Sequence, residues 1–169
     1  DLSMFSENIL KALKDKGVSF YIGDKPVVDL DDNGFLKGKR PRGWSEGSTW
    51  DSVPGSYNSL GNNVNVGSGK TGSVSLMGHE TGHAINFNLI EKDSNMKKSL
   101  EDLHKKYYSS FSNYYRQGGP KGYAGMDEMI AESVAIVLKG FPFSFFRKIS
   151  TNDDFSTEIT KLIKGAGIV

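Results

Sequence analysis

The chain has 169 residues, no cysteine, and a formal net charge of +1 from 21 basic and 20 acidic side chains. That length fits one domain with a self-supporting core and excludes two catalytic domains. The missing thiols exclude a disulfide scaffold and any thiolate metal site, and the near-neutral balance excludes a field strong enough to hold nucleic acid or an anionic membrane.

Asp1 opens into mixed polar sequence without the apolar core of a leader peptide. Phe5, Ile9, Leu10 and Leu13 recur on a helical period, so the spacing predicts an amphipathic helix over 3–15, capped by Ser3 or Ser6 and stopped at Gly17. Three β-rich runs follow, Val18–Ile22, Val27–Leu30 and Phe35–Lys37, and Asn33-Gly34 between the last two favours a primed turn and a meander. From 38 to 75 the chain is rich in Gly, Ser and Asn with scattered apolar residues, which reads as short strands joined by long loops, 55–73 being the most loop-like part. After Leu76 the pattern turns helical, over 78–91, 95–116, 126–139 and 153–164. Gly118-Gly119-Pro120 divides the second and third helices, and Gly140 and Gly165 stand where C-terminal caps belong. Strands first and helices second predict one α+β domain over 1–169, with a strand-rich half 1–76 and a helical half 77–169. No run approaches the roughly 20 apolar residues of a membrane-spanning helix.

The chemistry concentrates in His79-Glu80-Thr81-Gly82-His83, an H-E-x-x-H on a predicted helix. Residues four apart project from one helical face, so His79 and His83 can place two imidazole nitrogens on one Zn²⁺, and Glu80 beside them can take a proton from the attacking water. Two histidines that only make ordinary hydrogen bonds are the bland alternative. A catalytic zinc usually has three protein ligands. Extension to a third histidine along the same helix fails, because Asn86 and Leu89 stand at the required places. His104, the remaining histidine, lies in a Lys-rich segment and reads as a surface side chain. The helix containing Asp127-Glu128-Met129-Ile130-Ala131-Glu132 is the better source. Glu128 and Glu132 are like charges at i,i+4, which repel by a few tenths of a kcal/mol unless a cation compensates. Glu128 would be the ligand and Glu132 an acceptor for the outer ring N–H of a ligating histidine. Exchanged roles, or both carboxylates facing water, stay open at this point.

Tyr123, in Gly122-Tyr123-Ala124-Gly125 just before that helix, is a candidate donor to the oxyanion of a tetrahedral intermediate, unless it packs on the core. Tyr107, Tyr108, Tyr114 and Tyr115 follow helical spacing with Phe111 and read as core. The run Phe141-Pro142-Phe143-Ser144-Phe145-Phe146-Arg147-Lys148 reads either as an apolar patch with basic flanks that docks on a membrane or receptor, or as a segment buried under a helix.

Arg42-Gly43-Trp44, Thr49-Trp50-Asp51-Ser52-Val53-Pro54-Gly55, Gly78-His79-Glu80-Thr81-Gly82-His83-Ala84-Ile85 and Glu128-Met129-Ile130-Ala131-Glu132, in that order, resemble the zinc endopeptidase domain of anthrax lethal factor and the related small clostridial Pro-Pro endopeptidases. The resemblance implies an α+β, zincin-like fold of the gluzincin type and a zinc endopeptidase. His79, His83 and Glu128 would match the metal ligands, Glu80 the base, Glu132 the supporting carboxylate and Tyr123 the oxyanion-stabilising tyrosine. The family tyrosine stands seven residues before the ligating glutamate, whereas Tyr123 stands five before Glu128. The resemblance also implies a protein or peptide substrate paired with an edge strand leading into the zinc helix, here Gly72-Ser73-Val74-Ser75. It further implies a secreted monomer, free-standing or cut from a larger toxin. A non-catalytic peptide- or receptor-binding toxin domain on the same scaffold is the alternative.

Overall fold

The computed structural model of the chain describes residues 2–30, 33–41 and 46–169. Asp31, Asp32 and the family-like Arg42-Gly43-Trp44 lie outside them. The opening helix, α1, spans Glu7–Asp15, because the Ser6 side chain accepts from Ile9 N and Gly17 takes φ 77°. Three strands follow, β1 (Ser19–Ile22), β2 (Gly55–Asn58) and β3 (Asn63–Val66), in the spatial order β1-β3-β2. β1 pairs parallel and β2 antiparallel to β3, so the sheet is mixed and β2 is one of its edges.

The expected strands Val27–Leu30 and Phe35–Lys37 are instead 3-10 turns at Val27–Asp29 and Asn33–Leu36. Pro26 precedes the first of these and has no N–H to give a ladder, so Val27 and Val28 become buried through a turn rather than a strand. The Gly/Ser/Asn stretch 55–73 departs in the opposite sense, since it holds the β2–β3 hairpin. Its polar strand residues are buried in company: Asn65 Nδ2 donates to Ser56 Oγ at 3.5 Å and to Asn63 Oδ1 at 3.3 Å. Asn62 takes the left-handed conformation at the turn, with φ 51°.

Helices α2 (Leu76–Asn88), α3 (Ser94–Tyr107), α4 (Tyr123–Leu138) and α5 (Asp153–Gly165) form the second half. α3 is shorter than the spacing predicts. The Ser110 hydroxyl bonds back to Tyr107 O at 2.7 Å, and Phe111 leaves the helix to bridge Ser150. α4 begins earlier than expected, which puts Tyr123 in its first turn rather than in a loop. Gly140 takes the left-handed cap with φ 64°, but at the end of α5 that place belongs to Gly167, φ 65°, with Gly165 still helical. Within 141–148, Phe146 is buried while Phe143 and Phe145 are exposed, so neither simple reading of that run holds throughout. No helix among the described residues is long and apolar enough to cross a membrane.

The core gathers Leu13, Ile85, Met129, Ile130, Phe155 and Ile159 between the sheet and the helices. Its most extensive helix–helix contact is the antiparallel crossing of α2 and α4. A Cβ on Gly82 would stand 2.7 Å from Ala131 Cα, and one on Gly78 would stand 3.1 Å from Ala135 Cα. Small residues at i,i+4 on both helices therefore let the backbones nearly touch. Gly82→Ala is expected to destabilise the protein, because overpacking costs about 1–3 kcal/mol and the gain in helix propensity recovers at most about 1 kcal/mol. The urea unfolding midpoint checks this; an unchanged or higher midpoint would show that the helices have room to spare.

Candidate metal centre

Both candidate histidines and the carboxylate that supports one of them are sequence neighbours of residues in that close contact: His79 of Gly78, His83 of Gly82, and Glu132 of Ala131, with Glu128 one turn before Glu132. The crossing thus brings the i,i+4 histidines of α2 against the i,i+4 glutamates of α4. His79 Nε2 and His83 Nε2 lie 3.2 Å apart, and Glu128 Oε2 lies 3.3 Å from the first and 3.7 Å from the second. All three side chains offer a ligand atom within 4.8 Å of the others. His104 takes no part. It is 1% exposed rather than a surface side chain, with Nε2 at 2.9 Å from Tyr115 O and Nδ1 at 3.4 Å from Pro120 O, and it braces the segment before α4.

The outer nitrogens decide the tautomers. His79 Nδ1 donates to Glu132 Oε2 at 3.0 Å and His83 Nδ1 donates to Asp127 Oδ2 at 2.9 Å. A carboxylate only accepts, so each Nδ1 carries a proton outward and each Nε2 faces the centre. Asp127 is in turn fixed by Asn86, whose Nδ2 donates to Asp127 Oδ1 at 2.7 Å. Sequence reasoning missed both Asp127 and Asn86. The signal was there in the antiparallel order of the helices: if Glu132 serves His79, the partner of His83, one turn further along α2, must come about one turn earlier on α4.

Titration follows from this arrangement. Burial works against a proton on His79, but the facing carboxylates of Glu128 and Glu132 prevail and raise its pKa to about 10. Burial likewise opposes a proton on His83, and Asp127 overrides it and raises the pKa. Burial tends to raise Glu132, yet His79 and Lys148 bring it down to about 2. Glu128 and Asp127 are lowered against the same burial by the histidines they face. Glu80 goes the other way: burial raises its pKa more than the nearby histidines lower it.

The donor set fits a divalent cation. Glu128 Oε2 is buried without a hydrogen-bond partner and faces the Nε2 atoms of both histidines. One proton can satisfy only one of these contacts at a time, whereas a cation at the centre satisfies all three.

A cleft of about 950 Å³ opens over the centre. Trp50, Val53, Pro54 and Tyr57 line its sheet side, and Tyr114, Tyr115 and Tyr123 its helical side. β2 runs against Glu80, since a Cβ on Gly55 would stand 3.0 Å from both Glu80 Cγ and Oε1. Tyr123 is 44% exposed, and its hydroxyl accepts from Asn86 Nδ2 at 3.3 Å. Tyr114, expected in the core, is 41% exposed and lines the cleft wall with Glu128. The segment Gly72-Ser73-Val74-Ser75 is not a strand. Val74 N donates to Glu132 Oε1 at 3.3 Å and Ser75 caps α2, so this stretch offers no ladder to an extended peptide.

Residues 1–135 match the family model described as anthrax toxin lethal factor, N- and C-terminal domain. The chain belongs to this family. Within the lethal factor family it is similar to a Pro-Pro endopeptidase of Paenibacillus alvei, with 31% identity over 109 residues, which is 62% of this chain and 50% of that protein. The chain therefore spans about half the length of that curated relative. It also resembles the solved structure of the Pro-Pro endopeptidase PPEP-2 from Paenibacillus alvei, with a TM-score of 0.71 and 25% identity over 98% of this chain and 86% of that one. The mixed α+β architecture is thus that of PPEP-2.

Without a cation, His79 holds a proton that a metal must displace. The stability this protonated residue contributes is full below pH 6.5 and declines as pH climbs towards about 10. Cation affinity runs the opposite way and rises with pH through that window. Competition against a chromophoric chelator from neutral to mildly alkaline pH measures it; a flat profile would mean that no proton is displaced.

Proposed function

We propose that this chain is a zinc-dependent endopeptidase, one catalytic domain over 1–169, that hydrolyses a peptide segment lying extended across the cleft. The convergence of His79 Nε2, His83 Nε2 and the unpartnered Glu128 Oε2 beside a buried glutamate supports the reading best. His79, His83 and Glu128 would hold the zinc. Bound there, the ion supplies Lewis-acid polarisation of a carbonyl and acidifies water towards a pKa of about 7. Glu80 accepts the proton of the attacking water at its carboxylate and passes it to the departing amine, and the burial that raises its proton affinity suits both steps. Glu132 and Asp127 hold the imidazoles with their ring planes and tautomers fixed, so that no reorientation is needed on binding.

The developing oxyanion needs a donor on the cleft wall. Tyr123 and Tyr114 both line it. Tyr114 has the stronger claim, because it lies close enough to Glu128 for the two to influence each other's charge, whereas the Tyr123 hydroxyl is engaged by Asn86. The substrate strand also shifts from its expected place. β2, an edge strand that presses Gly55 against Glu80, is positioned to pair with an extended peptide, while Gly72, Ser73 and Val74 shape the wall beyond it. Aromatic and proline side chains on the sheet side suit an apolar, proline-containing segment, in keeping with the Pro-Pro endopeptidases it resembles.

Digestion of a proline-rich peptide library with and without a chelator tests the activity, and chelator-sensitive cleavage is expected. Peptides that bind but remain whole would support the binding-domain alternative instead. Glu80→Gln should retain zinc and lose about 10²–10⁴-fold in turnover; full activity would remove Glu80 from the mechanism. Tyr114→Phe should cost about 10²–10³-fold, and a larger loss in Tyr123→Phe would return the oxyanion role to Tyr123.

A further inference from the structure

The family match ends at residue 135, yet the C-terminal part of the chain returns to the metal centre. Lys148 sits at the end of the 3-10 turn Phe143–Lys148. Its backbone is fixed against the segment that carries Tyr114: Ser112 Oγ donates to Lys148 O at 3.2 Å and Ser112 N donates to Ile149 O at 2.9 Å. From that anchor its ammonium reaches into the cleft wall, where it donates to Glu132 Oε1 at 2.6 Å and to Gly72 O at 2.6 Å.

Glu132 is 2% exposed at its side chain, so each of its oxygens needs a partner. Oε2 takes the His79 Nδ1 proton, while Oε1 takes Lys148 and the weaker Val74 N–H at 3.3 Å. Without the ammonium, Oε1 would keep only that long bond, and the carboxylate could rotate its two oxygens between Val74 and His79. The same ammonium ties down Gly72 O, so one cation joins α4, the stretch before α2 and the C-terminal segment. A charged, donor-rich group held by both its backbone and its head group is an orienting device rather than a solvated surface lysine.

We propose that Lys148 is a positioning residue of the metal centre. It acts through Glu132 on the orientation of His79, and through Gly72 on the cleft wall, so that residues 136–169 are needed for full metal affinity as well as for the core. This inference rests on the metal-site reading, and the test keeps the two apart. Zinc affinity is measured by chelator competition for the full chain and for Lys148→Met, Lys148→Gln and Lys148→Arg, alongside the melting temperature of each protein freed of metal. Outer hydrogen-bond partners of metal ligands are typically worth about 10–100-fold in affinity. The expected result is a loss of about that size in Lys148→Met, a similar loss in Lys148→Gln, and recovery to within a few-fold in Lys148→Arg, with the metal-free melting temperature little moved.

Tight zinc binding by the parent chain with undiminished affinity in folded Lys148→Met would overturn the positioning role and leave the metal centre intact. Collapse of the fold in both neutral variants would also overturn it and make Lys148 a structural residue. Failure of the parent chain itself to take up zinc would overturn the metal reading and this inference with it.

Discussion

The contact on which everything else depends is the near touching of two helix backbones, Gly78 and Gly82 on α2 against Ala135 and Ala131 on α4. Larger residues would hold the axes further apart, and the side chains beside them could no longer meet over a single point. The spacing that makes the core dense is the same spacing that gathers two imidazoles and a carboxylate. Packing and the gathering of these groups are therefore one constraint here, and the H-E-x-x-H pattern owes Gly82 to the neighbouring helix.

Gathering those groups has an electrostatic consequence. Glu80, Glu128, Glu132 and Asp127 crowd around two histidines, and burial alone would favour their neutral forms. Three of the four are held ionised by specific partners: His79 and Lys148 for Glu132, His83 and Asn86 for Asp127, and the histidine pair for Glu128. Glu80 is left with burial as its dominant influence and a raised proton affinity. The environment thus separates three carboxylates held ionised from one whose proton affinity is raised, which is the division the proposed roles require.

How far the sequence reveals this depends on the range of each interaction. The helical stripes of α2 and α4 are local patterns, and they place His79, His83, Glu128 and Glu132 correctly on facing surfaces. Asp127 and Asn86 escape because their roles exist only once the antiparallel crossing sets which turn meets which. Lys148 escapes for a stronger reason: a lysine after a phenylalanine-rich run reads as a basic flank, and only the fold carries it to Glu132 and Gly72. The strands fail where burial and polarity part company. Val27 and Val28 are apolar but follow Pro26 into a turn, whereas Ser56, Asn63 and Asn65 are polar yet buried in the sheet. Helical spacing puts Tyr114 in the core, but α3 ends at Tyr107 and that register does not continue.

The central claim is that one cation is held jointly by His79, His83 and Glu128. X-ray absorption on the zinc-loaded protein addresses it directly, because the scattering shells count imidazoles and report the metal–ligand distances. The account expects one zinc per chain with two imidazole nitrogens and carboxylate oxygen at about 2.0–2.2 Å, and the loss of one imidazole shell in His83→Ala. A zinc surrounded by water oxygens alone, or a spectrum unchanged by His83→Ala, would contradict it.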